Sequence, residues 1–127
     1  MKKLPLLLLA TALGGGALLF TSCTDDDPSD LLVSEVISAQ DDFFTPKVDT
    51  IQVGTIVTWV NEGAHDHTVD SDEEIVNGQI ARIFDREIAP GEQFSFRFLQ
   101  PGEFPYHCEF HGAVGGVGMS GVIVVVP

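Results

Sequence analysis

The sequence predicts an all-β fold, two sheets packed face to face as a sandwich. Three observations carry this. Short runs alternate apolar and polar residues at period two, Gly and Pro-Gly pairs punctuate those runs, and no segment of the C-terminal three-quarters holds a helical apolar period. Roughly 95 residues, 33–127, form the predicted domain, enough for a two-sheet core without disulfides.

The elements follow in order. From about Leu31, Val33, Ile37, Phe43 and Phe44 stand among polar residues and read as extended chain. Asp49 to Val60 holds two alternating runs joined at Gly54, a turn signal. Asn61-Glu62-Gly63 ends the second run, and His67-Thr68-Val69 starts the next segment. Residues 70–82 are acidic and irregular and read as a loop, with Asp72, Glu73 and Glu74 as surface charges. Ile83 to Ile88 reads as a strand. Ala89-Pro90-Gly91-Glu92 then reads as a hairpin turn into Phe94, Phe96 and Phe98, which alternate with polar residues and aim one aromatic face at the core. Gln100-Pro101-Gly102-Glu103 is another turn, Phe104 to Cys108 a strand, and Val122 to Val126 the closing strand.

The first 32 residues belong to a different category. Met1-Lys2-Lys3 is basic, Leu4 to Phe20 is apolar but broken by Gly14-Gly15-Gly16, and Thr21-Ser22-Cys23 places small residues before a cysteine. A basic start, an apolar stretch and small residues describe an export signal, 1–22. The apolar run lies at the short end of the roughly 20 residues that a membrane helix needs. The junction resembles a bacterial lipoprotein box, which implies lipidation of Cys23. Residues 23–32 are rich in Asp, poor in apolar side chains and contain Pro28, the composition of a flexible tether.

Charge excludes one class of partner. The chain carries −13, and removal of Lys2 and Lys3 with the signal leaves four basic residues against 19 acidic ones, a formal −15. Nucleic acid binding needs a cationic surface and is not expected. An acidic surface suits a basic protein partner at low salt, or adaptation to high salt.

The chemistry concentrates in four residues. The chain holds two cysteines and two methionines. If Cys23 carries lipid, Cys108 has no disulfide partner, and in an exported compartment a lone thiol needs a reason to stay reduced. Metal thiolate ligation is such a reason. His111 follows three residues after Cys108, Met119 follows a glycine-rich loop, and His67 lies upstream. Two imidazoles, one thiolate and a weak axial thioether are the donor set of a mononuclear blue-copper site. His65 reads as a solvated loop histidine, Asp66 as a polar neighbour, and His107 as a partly exposed residue on the opposite face of the Cys108 strand.

The order His67…Cys108-x-x-His111…Met119 resembles the cupredoxins, in particular the plastocyanin/halocyanin-like branch. So do Trp59-Val60-Asn61, the Pro90-Gly91-x-x-Phe94-x-Phe96 run and the Pro101-Gly102-x-Phe104-x-Tyr106-x-Cys108 run. The resemblance covers nearly all of residues 33–127. It implies a Greek-key β-sandwich holding one type 1 copper on His67, Cys108, His111 and Met119, with His111 at the surface ringed by Gly112 to Val117. The function implied is one-electron transfer, not catalysis. The protein would be a monomer held at the cell envelope by lipid, on the periplasmic or cell-surface side. It would exchange electrons with a c-type cytochrome or a membrane electron-transfer complex. The alternative is copper storage or delivery. That class tends to use several Met or His in labile sites, whereas one Met remains once the signal is removed.

Overall fold

The computed structural model describes residues 33–127. The export signal 1–22, the tether 23–32, Cys23 and the expected start near Leu31 lie outside the described residues. Eleven strands and no helix make up the described chain. They are β1 (Ser34–Gln40), β2 (Phe43–Thr45), β3 (Val48–Gln52), β4 (Ile56–Asn61), β5 (His67–Ser71), β6 (Glu74–Val76), β7 (Gln79–Ala81), β8 (Asp85–Ile88), β9 (Gln93–Arg97), β10 (Gly102–Ala113) and β11 (Val117–Val126). One sheet has the order β2-β1-β4-β9 and the other β3-β11-β10-β5-β8, with β6-β7 as a separate hairpin. The β1/β4 and β3/β11 pairs are parallel, and the remaining neighbours are antiparallel.

Alternation decides which side chains enter the sandwich. In β4, Val57, Trp59 and Asn61 are buried while Ile56, Thr58 and Val60 are half-buried. Ile37 and Ala39 of β1 point the same way, and Val69, Tyr106, Ile123 and Val125 meet them from the other sheet. Trp59 is the hub, with ring centroids 5.3 Å from Tyr106, 5.4 Å from Phe84 and 5.8 Å from Phe94. Such aromatic pairs add directional packing to the large area that each ring buries. Phe98 is buried, and Phe94 and Phe96 pack against the core half-buried, as the expected aromatic face requires.

Several boundaries differ from expectation. The two runs joined at Gly54 do not pair with each other. β3 joins β11, and β4 joins β1 and β9, so the turn crosses between sheets. The Pro90-Gly91 turn likewise is no hairpin: it carries the chain from β8 in one sheet to β9 in the other. Both turns link strands whose inner faces share one core, a geometry with the same alternation as a hairpin. Ile83 and Phe84 precede β8, with Phe84 plugged into the core. β10 runs on past Cys108 to Ala113, and β11 begins at Val117.

The segment 70–82 is more ordered than a loop. β5 extends to Ser71, and the β6-β7 hairpin turns at Asn77 (φ 52°) and Gly78 (φ 78°). Two successive positive φ values favour Asn-Gly in a two-residue hairpin turn. The chain then folds back, with the Ser71 hydroxyl accepting from the amides of Ile83 (2.8 Å) and Phe84 (3.2 Å). As a result β5 is buried along all five residues, on both faces.

Candidate metal centre

Three ligating atoms meet at one end of the sandwich. His67 opens β5, and Cys108 and His111 both lie on β10 within the register shift between His107 and Gly112. The shift bends the strand so that residues three apart reach a common point. His67 Nδ1 is 3.3 Å from His111 Nδ1, and Cys108 Sγ is 3.8 Å and 3.6 Å from those two atoms. Three donors around one ion, at bond lengths of about 2.0–2.3 Å, span about this triangle. All three ligand atoms lie within 4.8 Å of one another, close enough to share one ion. The triangle therefore fits a bound metal ion, and thiolate with imidazole is a donor set for a soft transition metal.

Each donor is held from behind. His67 and Cys108 are fully buried and His111 is half-buried. Burial, then the neighbouring His111, lowers the basicity of His67, while Asp41 opposes both. The result favours the neutral ring that a ligand must offer. Thr68 donates its amide to Cys108 Sγ at 3.3 Å, and its hydroxyl accepts from Glu109 N at 2.8 Å while donating to Asp70. Asn61 fastens the loop before His67. Its amide donates to the carbonyls of His65 (2.8 Å) and Ile88 (2.9 Å), and its oxygen accepts from Gly63 N. This is the structural content of the Trp59-x-Asn61 motif.

Met119, the fourth expected ligand, is fully buried on β11. Its backbone crosses directly beside Gly112, where a Cβ would lie 2.5 Å from the Met119 carbonyl oxygen. Gly118, with φ 64°, faces His111 across the same gap. The glycines thus let the methionine strand close against the histidine strand.

Other expectations are corrected. His107 is not partly exposed: it is buried, and its Nδ1 donates to Asp72 Oδ1 at 2.8 Å. Nor is Asp72 a free surface charge, since it receives that bond and one from Gly115 N at 3.0 Å. His65 is largely exposed, as expected. The acid beside His67 is Asp41, not Asp66. Asp41 Oδ1 lies 3.5 Å from His67 Nε2 and accepts from the amides of Ala64 (2.9 Å) and His65 (3.3 Å). Partial burial pushes the Asp41 carboxyl up, but those amide bonds prevail and hold it below its usual range. Sequence reasoning missed Asp41, Thr68 and Asp70, because none has a spacing that points to a ligand.

A β-sandwich that gathers one cysteine and two histidines beside a buried methionine at one end defines the cupredoxin class. Residues 33–126 match the model of the copper binding proteins of the plastocyanin/azurin family. The chain belongs to that family, whose members bind copper. Plastocyanin of Scenedesmus fuscus is 40% identical over 86 residues, 65% of this chain and 85% of that one. A reduced amicyanin variant superposes with a TM-score of 0.62 at 25% identity, covering 73% of this chain and 82% of that one. A purple cupredoxin from Nitrosopumilus maritimus gives 0.53 at 30% identity, covering 66% and 82%. The chain is accordingly a blue copper protein of the electron-transport type. Copper in such a site alternates between its monovalent and divalent states.

Copper coordination is checked by absorption. The oxidised protein should show an intense thiolate-to-copper band, and Cys108→Ala should abolish it while circular dichroism stays that of a β-sandwich.

A second test concerns the acid behind the thiolate. Asp70 is fully buried, and burial raises its carboxyl to about 6; the Thr68 hydroxyl opposes this and neighbouring Asp85 and Glu109 add to it. Between pH 4 and about 6 the folded state then binds the extra proton. Stability falls as pH rises through that window, by up to about 3 kcal/mol. Asp70→Asn should remove this slope and raise the urea midpoint at pH 7 relative to wild type. An unchanged slope from pH 4 to 6 would refute the assignment.

Proposed function

We propose that this protein is a one-electron carrier anchored at the cell envelope, exchanging electrons with soluble or membrane-bound redox proteins through the His111 edge. The observation that carries this reading is the unequal exposure of the donors. His67, Cys108 and Met119 are fully buried, and His111 alone is half-buried. Around it Phe110, Val114 and Val117 are exposed by 55%, 52% and 60%. An apolar rim around one ligand suits a small, rapidly dissociating encounter. Four protein donors leave no position for a substrate, which a catalytic metal would need. The rigid burial also argues against storage or delivery of copper, which requires a ligand set that opens readily.

The acidic residues around this face support a basic partner such as a c-type cytochrome. Glu73 and Glu74 are exposed just before and within β6, and the same hairpin presents Ile75 and Ile80 at 80% and 71% exposure. We place the protein as a monomer on the periplasmic or cell-surface side, held by lipid on Cys23 through the acidic tether, with no role for nucleic acid.

The interface is tested by stopped-flow electron transfer with a basic cytochrome c across a salt series. Val114→Lys should slow transfer about tenfold at every salt concentration, because it places a charge in the apolar contact. Glu73→Gln with Glu74→Gln should lower the rate mainly at low salt, since exposed charges are screened beyond about 8–10 Å at ordinary ionic strength. Rates indifferent to salt and to both variants would exclude this face.

The anchor is tested by fractionation. Cys23→Ser should release the protein from membranes and leave the absorption band of the Cys108 site intact. Variant protein that still sediments with membranes would exclude lipid on Cys23.

A further inference from the structure

We propose that Asp72 is a positioning residue, a clasp that holds the ligand loop against the ligand strand and so sets the geometry of Cys108, His111 and Met119. The inference rests on the reading of those residues as copper ligands.

The loop between His111 and Met119 is closed at its base by the pairs Gly112↔Gly118 and Ala113↔Val117. Its tip, 114–116, projects beyond them, with Gly115 (φ 80°) and Gly116 (φ 83°) in left-handed conformations that favour glycine. One side-chain hydrogen bond reaches this tip among the described residues, from Gly115 N to Asp72 Oδ2 at 3.0 Å. The other carboxylate oxygen takes the bond from His107 Nδ1 at 2.8 Å, on the residue before Cys108. Asp72 itself is tied to β10, its amide donating to the Pro105 carbonyl at 2.8 Å. It also directly follows β5, the strand that begins with His67. A single carboxylate thus joins the strand bearing one ligand, the strand bearing the second, and the loop between the third and fourth.

Burial makes the clasp effective. The His107 and Asp72 side chains are 5% and 15% exposed, so water competes weakly for either bond. Hydrogen bonds to a charged acceptor are about twice as strong as neutral ones. Gly115 lies four residues from both His111 and Met119, so holding it restricts both ends of the loop. A site that changes oxidation state with little movement needs this restriction.

The test uses Asp72→Ala, which removes both acceptors, and Asp72→Asn, which keeps one acceptor oxygen and loses the charge. Glu103→Gln is the control, because it removes an exposed charge at the far end of β10 without touching the clasp or the donor face. Amide exchange at Gly115, measured by NMR on the metal-free protein, should accelerate about tenfold or more in Asp72→Ala, the effect of losing one charge-assisted hydrogen bond, and by a smaller factor in Asp72→Asn. In the copper-loaded proteins the Cu(II) EPR spectrum should change and electron self-exchange, measured at high salt where repulsion between copies is screened, should slow several-fold, while Glu103→Gln matches wild type. Should Asp72→Ala fail to fold, Asp72→Asn carries the comparison. Unchanged Gly115 exchange would show that no clasp exists. Faster exchange with EPR and self-exchange equal to the control would show that the clasp does not position the ligands; either result overturns the proposal. A wild-type protein that takes up no copper would overturn the underlying ligand reading instead. That failure is distinguishable because Gly115 exchange is measured without metal.

Discussion

Three donor atoms that converge in a buried pocket govern this molecule. Nδ1 atoms of His67 and His111 at 3.3 Å, with Cys108 Sγ closing the triangle, form a cluster spaced to hold one ion. The surrounding structure prevents it from relaxing. Asn61 fastens the approach to His67, Thr68 holds the sulfur, and the bulge in β10 bends His111 toward Cys108. A framework that holds this triangle in shape would also resist distortion if a bound copper ion changed charge. Rigidity therefore serves both ligand placement and electron transfer.

The second constraint is the double burial of β5. Its inner face contributes His67 and Val69 to the site and core, and on its outer face Thr68 bonds to Asp70, with Arg82 of the returning chain 3.9 Å from that carboxylate. Thr68 and Asp70 are consequently buried, with Asp72 nearly so, on a side of the sheet that would otherwise meet water. Arg82, from the return segment, lies 2.8 Å from Glu109 and 3.9 Å from Asp70, giving this acidic cluster a cation. Much of the acidity near the metal centre is thus structural. The charge available for a partner lies farther out, on residues such as Glu73 and Glu74.

The donor end of the sandwich combines an apolar rim, one partly exposed histidine and flanking acids. In the proposed encounter with a redox partner each would have a separate role: contact, electronic coupling and long-range attraction. The hairpin with Ile75 and Ile80 stands beside this face, because Asp72 at its start touches Gly115 and Arg82 after its end touches Glu109. Its apolar exposure extends the rim.

Local patterns in the sequence determined the fold class, the core faces and the ligand candidates. Alternation selects which side of each strand is apolar. The Trp59-x-Asn61 motif places its asparagine at a strand end, and Cys108-x-x-His111 spans the bulge of β10. Asn77-Gly78 was equally legible as a hairpin turn, but the acidic composition around it obscured the two short strands. Only the tertiary structure decided which sheet each strand joins, since a turn at Gly54 or Pro90-Gly91 serves a hairpin and a sheet crossing alike. It alone decided that His107 is buried and that Asp72 faces inward. These outcomes depend on pairing β5 with β10, residues 35 apart in the chain for the Asp72–His107 bond. Sequence patterns register the period of a strand, but neither its neighbours nor what covers its outer face. Long-range register sets both.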